Sequence, residues 1–130
     1  MNFLRGCFVA LVTPFDSKNR VNYEKLEELI EMHIKWKTCG LVPLGTTGET
    51  PALSKDEYKK VMETVIRSSN KRIPIFAGTG SNNTEHAFEQ TKLAKDLGAD
   101  GALVVMPYYN KPSQNGLRLH FKKLNEVKSK

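Results

Sequence analysis

Four short apolar runs, each followed by a longer stretch of helical spacing, recur along this chain at intervals of about thirty residues, the size of one strand–helix unit. The apolar runs fall at residues 7–13, 41–44, 73–77 and 102–106, and the amphipathic stretches at 23–37, 55–69, 85–97 and 114–127. Leu26, Leu29, Ile30, His33 and Ile34 line one face of a helix; so do Tyr58, Val61, Met62, Val65 and Ile66, and the last stretch repeats the spacing with Leu117, Phe121 and Leu124. A helix between two strands returns the chain to the same end of the sheet, so the alternation predicts an α/β fold with parallel strands. No linker divides it, and one domain over residues 1–130 is expected.

Helix boundaries are marked in the sequence. Ser54-Lys55-Asp56-Glu57 has the spacing of a capping box, and Asn22 is placed to cap the first helix. Asn82 and Glu85 repeat the box imperfectly, and Gly40 and Gly98 stand where helices are expected to stop. Two architectures fit the pattern, an open doubly wound sheet or part of a (β/α)8 barrel. A complete barrel takes about 250 residues, so the length argues against a whole one.

Composition narrows the class of protein. With 39% hydrophobic and 26% charged residues the chain has the balance of a soluble globular domain. No apolar run nears the roughly 20 residues of a membrane span. The apolar run near the start is short and ends at Pro14 and Asp16, which predicts a buried strand rather than a signal peptide and a cytoplasmic protein. Cys7 and Cys39 lack metal-ligand spacing and are expected as buried reduced thiols; His33, His86 and His120 are isolated, so no metal site is expected. Six of the bases (Lys111, Arg118, Lys122, Lys123, Lys128 and Lys130) stand in the last twenty residues against Glu126 alone. Phe121 stands alone among those bases rather than in the series of aromatics that a stacking platform would require, so a solvated helix face is expected and no nucleic acid.

In either architecture ligands bind at the loops after the C-terminal ends of the strands. Those loops are T-P-F-D, G-T-T-G-E-T-P, G-T-G-S-N-N and P-Y-Y-N-K-P-S-Q, all rich in glycine, hydroxyls and small polar groups. G-T-G-S-N-N lacks the third glycine of a dinucleotide fingerprint, since Asn83 stands there, and is expected as a turn with positive φ. In G-T-T-G-E, Gly45 and Gly48 are expected to let the backbone curl so that N–H groups converge on an anion, with the Thr46 and Thr47 hydroxyls beside them. On spacing alone, a plain turn and a ligand cradle fit this segment about equally. Tyr108 and Tyr109 sit on a loop stiffened by Pro107 and Pro112, where a phenol can pack or shuttle a proton.

Four segments, F-V-A-L-V-T-P-F, L-G-T-T-G-E-T-P-A-L-S, I-P-I-F-A-G-T-G-S-N-N-T and V-V-M-P-Y-Y-N-K-P-S-Q-N-G-L-R-L-H-F, run in the order of the dihydrodipicolinate synthase (4-hydroxy-tetrahydrodipicolinate synthase) family, which the chain resembles over nearly its whole length. The resemblance implies the first four βα units, the N-terminal half, of a (β/α)8 (TIM) barrel, a single incomplete domain. It implies a lyase in which a barrel lysine forms a Schiff base with pyruvate and the enamine attacks aspartate semialdehyde, towards lysine and diaminopimelate. No cofactor is implied. By the same resemblance Thr46 is a proton-relay threonine, and Thr46 and Thr47 hold the pyruvate carboxylate. Tyr109 crosses a dimer interface to complete a neighbour's relay, while Tyr108, Gly45 and Gly48 are structural.

The family's Schiff-base lysine segment and its Y-N-x-P-x-R-T segment have no counterpart in this sequence, and Lys111, on the tyrosine loop, lacks the burial that amine catalysis needs. The expectation is a truncated chain, inactive alone, with unpaired outer strands near Val9 and Val104. The alternatives are half of a split enzyme completed by a partner chain, a non-catalytic carboxylate-binding protein, or another pyruvate aldolase related to N-acetylneuraminate lyase. A homo-oligomer, a dimer or tetramer, is implied by the family.

Overall fold

The structure, a computed structural model, describes residues 4–127, so Lys128 and Lys130 of the basic end lie outside the described residues. Strand β1 (Phe8–Ala10) is followed by α1 (Tyr23–Lys35), β2 (Gly40–Val42), α2 (Lys55–Ser69), β3 (Phe76–Gly78), α3 (Thr84–Leu97), β4 (Gly101–Leu103) and α4 (Gln114–Leu124). β1 pairs with β2 and β3 with β4, both parallel, with Val9 opposite Leu41 and Ala77 opposite Ala102. A parallel bridge between Leu41 and Ile75 joins the two pairs, so the strands stand in chain order. Two backbone bonds flank it: the Leu41 N–H donates to the Pro74 carbonyl (3.0 Å) and the Gly78 N–H to the Pro43 carbonyl (2.8 Å).

Alternation along each strand separates two faces. Leu11, Leu41, Ile75 and Ala77 are buried on the helix side, against Leu26, Ile30, Val61, Met62 and Val65. α1 packs on α2, α2 on α3 and α3 on α4, so the helices form one layer along that side. The opposite face carries a row of large and absent side chains. The Phe8 ring lies over Gly40 and the Phe76 ring over Gly101, where a Cβ would come within 2.3 and 2.5 Å of ring carbons; the two rings meet edge to face at 5.5 Å.

The sequence signals account for most helix ends. Asn22 accepts the Lys25 N–H (2.9 Å), and Ser54 and Glu57 close a reciprocal capping box. Gly98, at φ 99°, ends α3 in the left-handed conformation that a glycine adopts without strain. Three expectations are corrected. The cap of α3 is Asn83, not Asn82, because its side chain accepts the His86 N–H (3.1 Å) and the helix starts one residue earlier than expected, at Thr84. Gly40 does not stop α1; the helix ends at Lys35, Lys37 takes the left-handed turn, and Gly40 opens β2 as the floor beneath Phe8. Cys7 is exposed rather than buried, Cys39 is half-buried, and both are free thiols.

His120 on α4 is buried against α3, with Nδ1 2.9 Å from the Thr84 hydroxyl and Nε2 without a hydrogen-bond partner. Burial pushes its pKa down, since the ring cannot be hydrated when charged. A depressed histidine favours the neutral form in the folded state, so its contribution holds above the unfolded pKa of about 6.5 and is lost as pH falls below it. Urea unfolding followed between about pH 7.5 and 5 is expected to show stability falling with acid, with a flatter profile in His120→Gln.

Candidate active-site rim

The four loops expected to bind ligand lie together at the C-terminal ends of the strands and are tied to one another. From the first loop, the buried Thr13 hydroxyl donates to the Gly48 carbonyl at 2.7 Å. From the third, the backbone of Gly78 passes so close to the second that a Cβ there would lie 2.1 Å from the Leu44 oxygen. Between the third and fourth, the Asn110 amide donates to the Asn82 carbonyl (3.0 Å) and the Asn82 amide to the Asn110 side chain (3.3 Å). Beneath them the Tyr58 hydroxyl, buried between α2 and β3, donates to the Gly78 carbonyl at 2.9 Å, and burial raises its pKa far above the usual phenol range.

G-T-T-G-E-T-P folds as two successive 3-10 turns, Thr46–Gly48 and Thr50–Ala52. The Gly48 and Glu49 N–H groups donate to the Gly45 and Thr46 carbonyls, and the Thr50 hydroxyl braces the Gly45 carbonyl at 3.1 Å. The sharp bends are not at the glycines. Gly45 has φ −87°, and the left-handed residues are Leu44 (φ 60°) and Glu49 (φ 53°), which bracket the two threonines. Gly45 and Gly48 were expected to supply that freedom. Gly48 instead meets a steric limit, since a Cβ there would lie 3.2 Å from the Leu11 carbonyl and 3.3 Å from the Thr13 hydroxyl. The same correction holds for G-T-G-S-N-N, where neither glycine has positive φ: Gly78 faces Leu44, and at Gly80 a Cβ would come within 2.5 Å of the Val105 nitrogen.

Tyr109 (φ 68°) and Lys111 (φ 48°) on the fourth loop are left-handed too, so four of the eight non-glycine residues with positive φ among those described lie on these two loops. Such conformations cost on the order of 1 kcal/mol or more each and collect where the backbone is held for a purpose other than stability.

Thr46 and Thr47 are exposed, and neither hydroxyl has a hydrogen-bond partner among the described residues. A cavity of about 590 Å³ opens between the second, third and fourth loops and the start of α2 and α3. Gly45, Thr46 and Tyr108 line it, whereas Thr47 and Tyr109 do not, and Tyr109 is 94% exposed. The structure therefore gathers Thr46 with Tyr108, the tyrosine read as structural, and leaves Tyr109 projecting from its own rim. Sequence reasoning missed Tyr58, Asn110 and Gln90. Tyr58 was legible only as a core position; Gln90, whose buried Oε1 lacks a partner, carried no signal beyond its place on α3.

A one-sided α/β layer with hydroxyl-rich loops gathered at the carboxyl ends of its strands defines the class: an α/β protein with parallel strands, in which such strand-end loops are the usual place for a small-molecule site. Residues 3–129 match the Dihydrodipicolinate synthetase family, and the chain belongs to that family. It is 50% identical over 122 residues to the 4-hydroxy-tetrahydrodipicolinate synthase of Coxiella burnetii, covering 94% of this chain and 42% of that protein, and 54% identical over 118 residues to the enzyme of Citrifermentans bemidjiense, covering 91% and 40%. The chain thus spans about two fifths of the length of these relatives. Among solved structures it superposes on a chloride-inhibited dihydrodipicolinate synthase from Acinetobacter baumannii complexed with pyruvate (TM-score 0.93, 51% identity, 96% of this chain and 43% of that one). It also superposes on an N-acetylneuraminate lyase from Mycoplasma synoviae (TM-score 0.91, 30% identity, 98% and 44%).

The tie between the second and third loops is steric and therefore testable. Gly78→Ala drives a methyl group into backbone rather than into a movable side chain, so a loss of about 3 kcal/mol or more is expected in denaturant unfolding, against under about 1 kcal/mol for a surface alanine substitution.

Proposed function

We propose that the chain is a wall segment of a (β/α)8 barrel, a single incomplete domain of four βα units, from a Schiff-base lyase that condenses pyruvate with aspartate semialdehyde in lysine and diaminopimelate synthesis. Four strands in unbroken chain order with all their helices in one layer support the barrel over the doubly wound sheet, in which the strand order reverses partway and the helices after the reversal cover the other face. A cytoplasmic setting goes with that chemistry, and no helix among the described residues is long and apolar enough to cross a membrane.

The share of the reaction assigned to this chain is recognition of the pyruvate carboxylate. The observation that carries it is the pair of exposed, unpartnered threonines held between two left-handed residues, Leu44 and Glu49. A carboxylate accepts hydrogen bonds only, and two hydroxyls fixed on a braced turn can donate to it without first breaking bonds of their own. Thr46 then passes a proton between substrate and a phenol, a role that suits a hydroxyl able to donate and accept at once. Tyr109, projecting away from its own rim, serves as that phenol for a neighbouring subunit, while Tyr108 shapes the cavity wall.

No lysine among the described residues is placed for imine formation. Lys55, which lines the cavity, is exposed at the first position of α2, and Lys111 is exposed on the tyrosine loop. Amine attack on pyruvate needs a neutral nitrogen in a sheltered site, so the imine belongs to βα units outside this chain. The 130-residue chain alone is expected to bind pyruvate weakly, with ligand-observed NMR signals lost in Thr46→Val and Thr47→Val. Borohydride reduction with pyruvate is expected to leave it unmodified by mass spectrometry. An adduct on the isolated chain would overturn the division of labour, and undiminished binding in both threonine variants would overturn the cradle.

A further inference from the structure

Thr13 takes no part in the chemistry assigned to the rim, yet it is buried directly behind it (5% exposed). Its backbone is anchored on both sides: the Leu11 N–H donates to the Val42 carbonyl (3.0 Å), and the Pro14 carbonyl accepts from the Asn22 N–H (2.8 Å). Standing before a proline, Thr13 also favours extended backbone. Its hydroxyl therefore leaves a fixed platform and donates to the Gly48 carbonyl at 2.7 Å. Gly48 makes room for it, since a Cβ there would lie 3.3 Å from the Thr13 hydroxyl oxygen. On the other side of the threonine pair, the Gly45 carbonyl accepts from the Thr50 hydroxyl and the Gly48 N–H, both at 3.1 Å. The two carbonyls that flank Thr46 and Thr47 are thus tied to hydroxyls outside the pair, which keeps both from turning toward an anion.

We infer that Thr13 is a positioning residue for the pyruvate carboxylate: its hydroxyl holds the Gly48–Glu49 peptide in the one orientation that keeps Thr46 and Thr47 set to donate. The inference rests on the threonine cradle proposed above. That peptide is gripped at both ends, its carbonyl by Thr13 and its N–H by the Thr46 carbonyl (3.0 Å). The orientation is strained, because it places Glu49 in the left-handed region (φ 53°). Turning the peptide over rotates ψ of Gly48 and φ of Glu49 together. Glycine accepts either ψ, and Glu49 would return to negative φ, so the backbone alone favours the turned-over form. The turn-over would take the Gly48 carbonyl from Thr13 and the Glu49 N–H from Thr46, and the 3-10 turn that carries the threonines would open. A buried hydrogen bond and one left-handed residue are of the same order in free energy, so a single hydroxyl is enough to hold the strained form. Thr13 touches no substrate; it acts through Gly48.

Pyruvate titrations followed by NMR test this on the 130-residue chain, with amide spectra of the labelled protein recorded alongside and circular dichroism as the check on folding. Thr13→Val keeps the shape of the side chain and removes the hydroxyl. It is expected to weaken pyruvate binding about tenfold, the equivalent of one buried hydrogen bond, and to shift the amide signals of residues 46–49 while those of the helices stay in place. Thr13→Ser keeps the hydroxyl and is expected to retain both the affinity and the spectrum. Ser69→Ala removes a buried hydroxyl bonded to the Ile66 carbonyl (3.0 Å) at the far end of α2, and is expected to lower stability without changing affinity. Full affinity in folded Thr13→Val, or lost affinity in folded Thr13→Ser, would overturn the inference. An equal loss in Ser69→Ala, or amide shifts spread through the helices, would do so too by making the effect one of general stability. If Thr13→Val does not fold, Thr13→Ser decides alone: unchanged binding and spectrum support the role of the hydroxyl, and a loss refutes it. Binding that falls in Thr46→Val and Thr47→Val but persists in Thr13→Val refutes the positioning role and leaves the cradle standing. Absence of pyruvate binding in the unaltered chain removes the cradle and the inference with it.

Discussion

The contact between Gly78 and the end of β2 is the constraint on which the rest of the structure depends. The named strands form two separate parallel pairs, and what makes them one sheet is a short seam: the Leu41–Ile75 bridge, the Leu41 N–H on Pro74 and the Gly78 N–H on Pro43. Gly78 allows the Leu44 carbonyl to approach to a distance that any side chain would block. The same carbonyl belongs to the left-handed residue that turns the chain into the threonine segment, so one close approach sets the sheet and aims the site. Tyr58 secures it from behind by capping the Gly78 carbonyl with its buried hydroxyl.

Around that seam the packing is unequal. α1 and α2 bury most of the apolar core between themselves and the strands and are bridged at the surface by Glu27–Arg67 and Glu31–Arg72. Exposed pairs of that kind contribute little to stability, so apolar burial carries this side of the layer. α3 and α4 meet through fewer buried side chains and include a polar contact, His120 with Thr84, whose unpartnered Nε2 makes it sensitive to protonation. The outer end of the layer is therefore the softer one, and it is also the end where apolar side chains of β4 remain exposed.

Much of this is legible in the sequence. The capping box at Ser54, the cap at Asn22 and the stop at Gly98 depend on contacts within a few residues, and local patterning reports such contacts directly. The apolar runs located the strands but made most of them too long, because apolar character marks burial, whereas pairing needs a neighbouring strand in register. Glycines were the hardest to interpret. Gly40, Gly45, Gly48 and Gly78 suggested flexible backbone, yet their φ values are ordinary, and Gly40, Gly48 and Gly78 are there because another group occupies the space of a side chain. That group is distant in sequence each time, so no local signal names it. Likewise Tyr58 showed as a helix-face apolar residue, and only the fold places its hydroxyl on Gly78.

By itself, then, the sequence determined the alternation of strands and helices, the caps that start two of those helices and the glycine that ends a third, the family, and the hydroxyl-rich loops between strands and helices. These follow from period, short-range hydrogen bonding and residue type. The tertiary structure alone decided which glycines serve close approach, that Leu44 and Glu49 rather than glycines bend the threonine turn, and that Tyr108 and not Tyr109 shares the cavity with Thr46. Each is a relation between groups far apart in the chain, fixed only when the sheet brings them within van der Waals or hydrogen-bond distance.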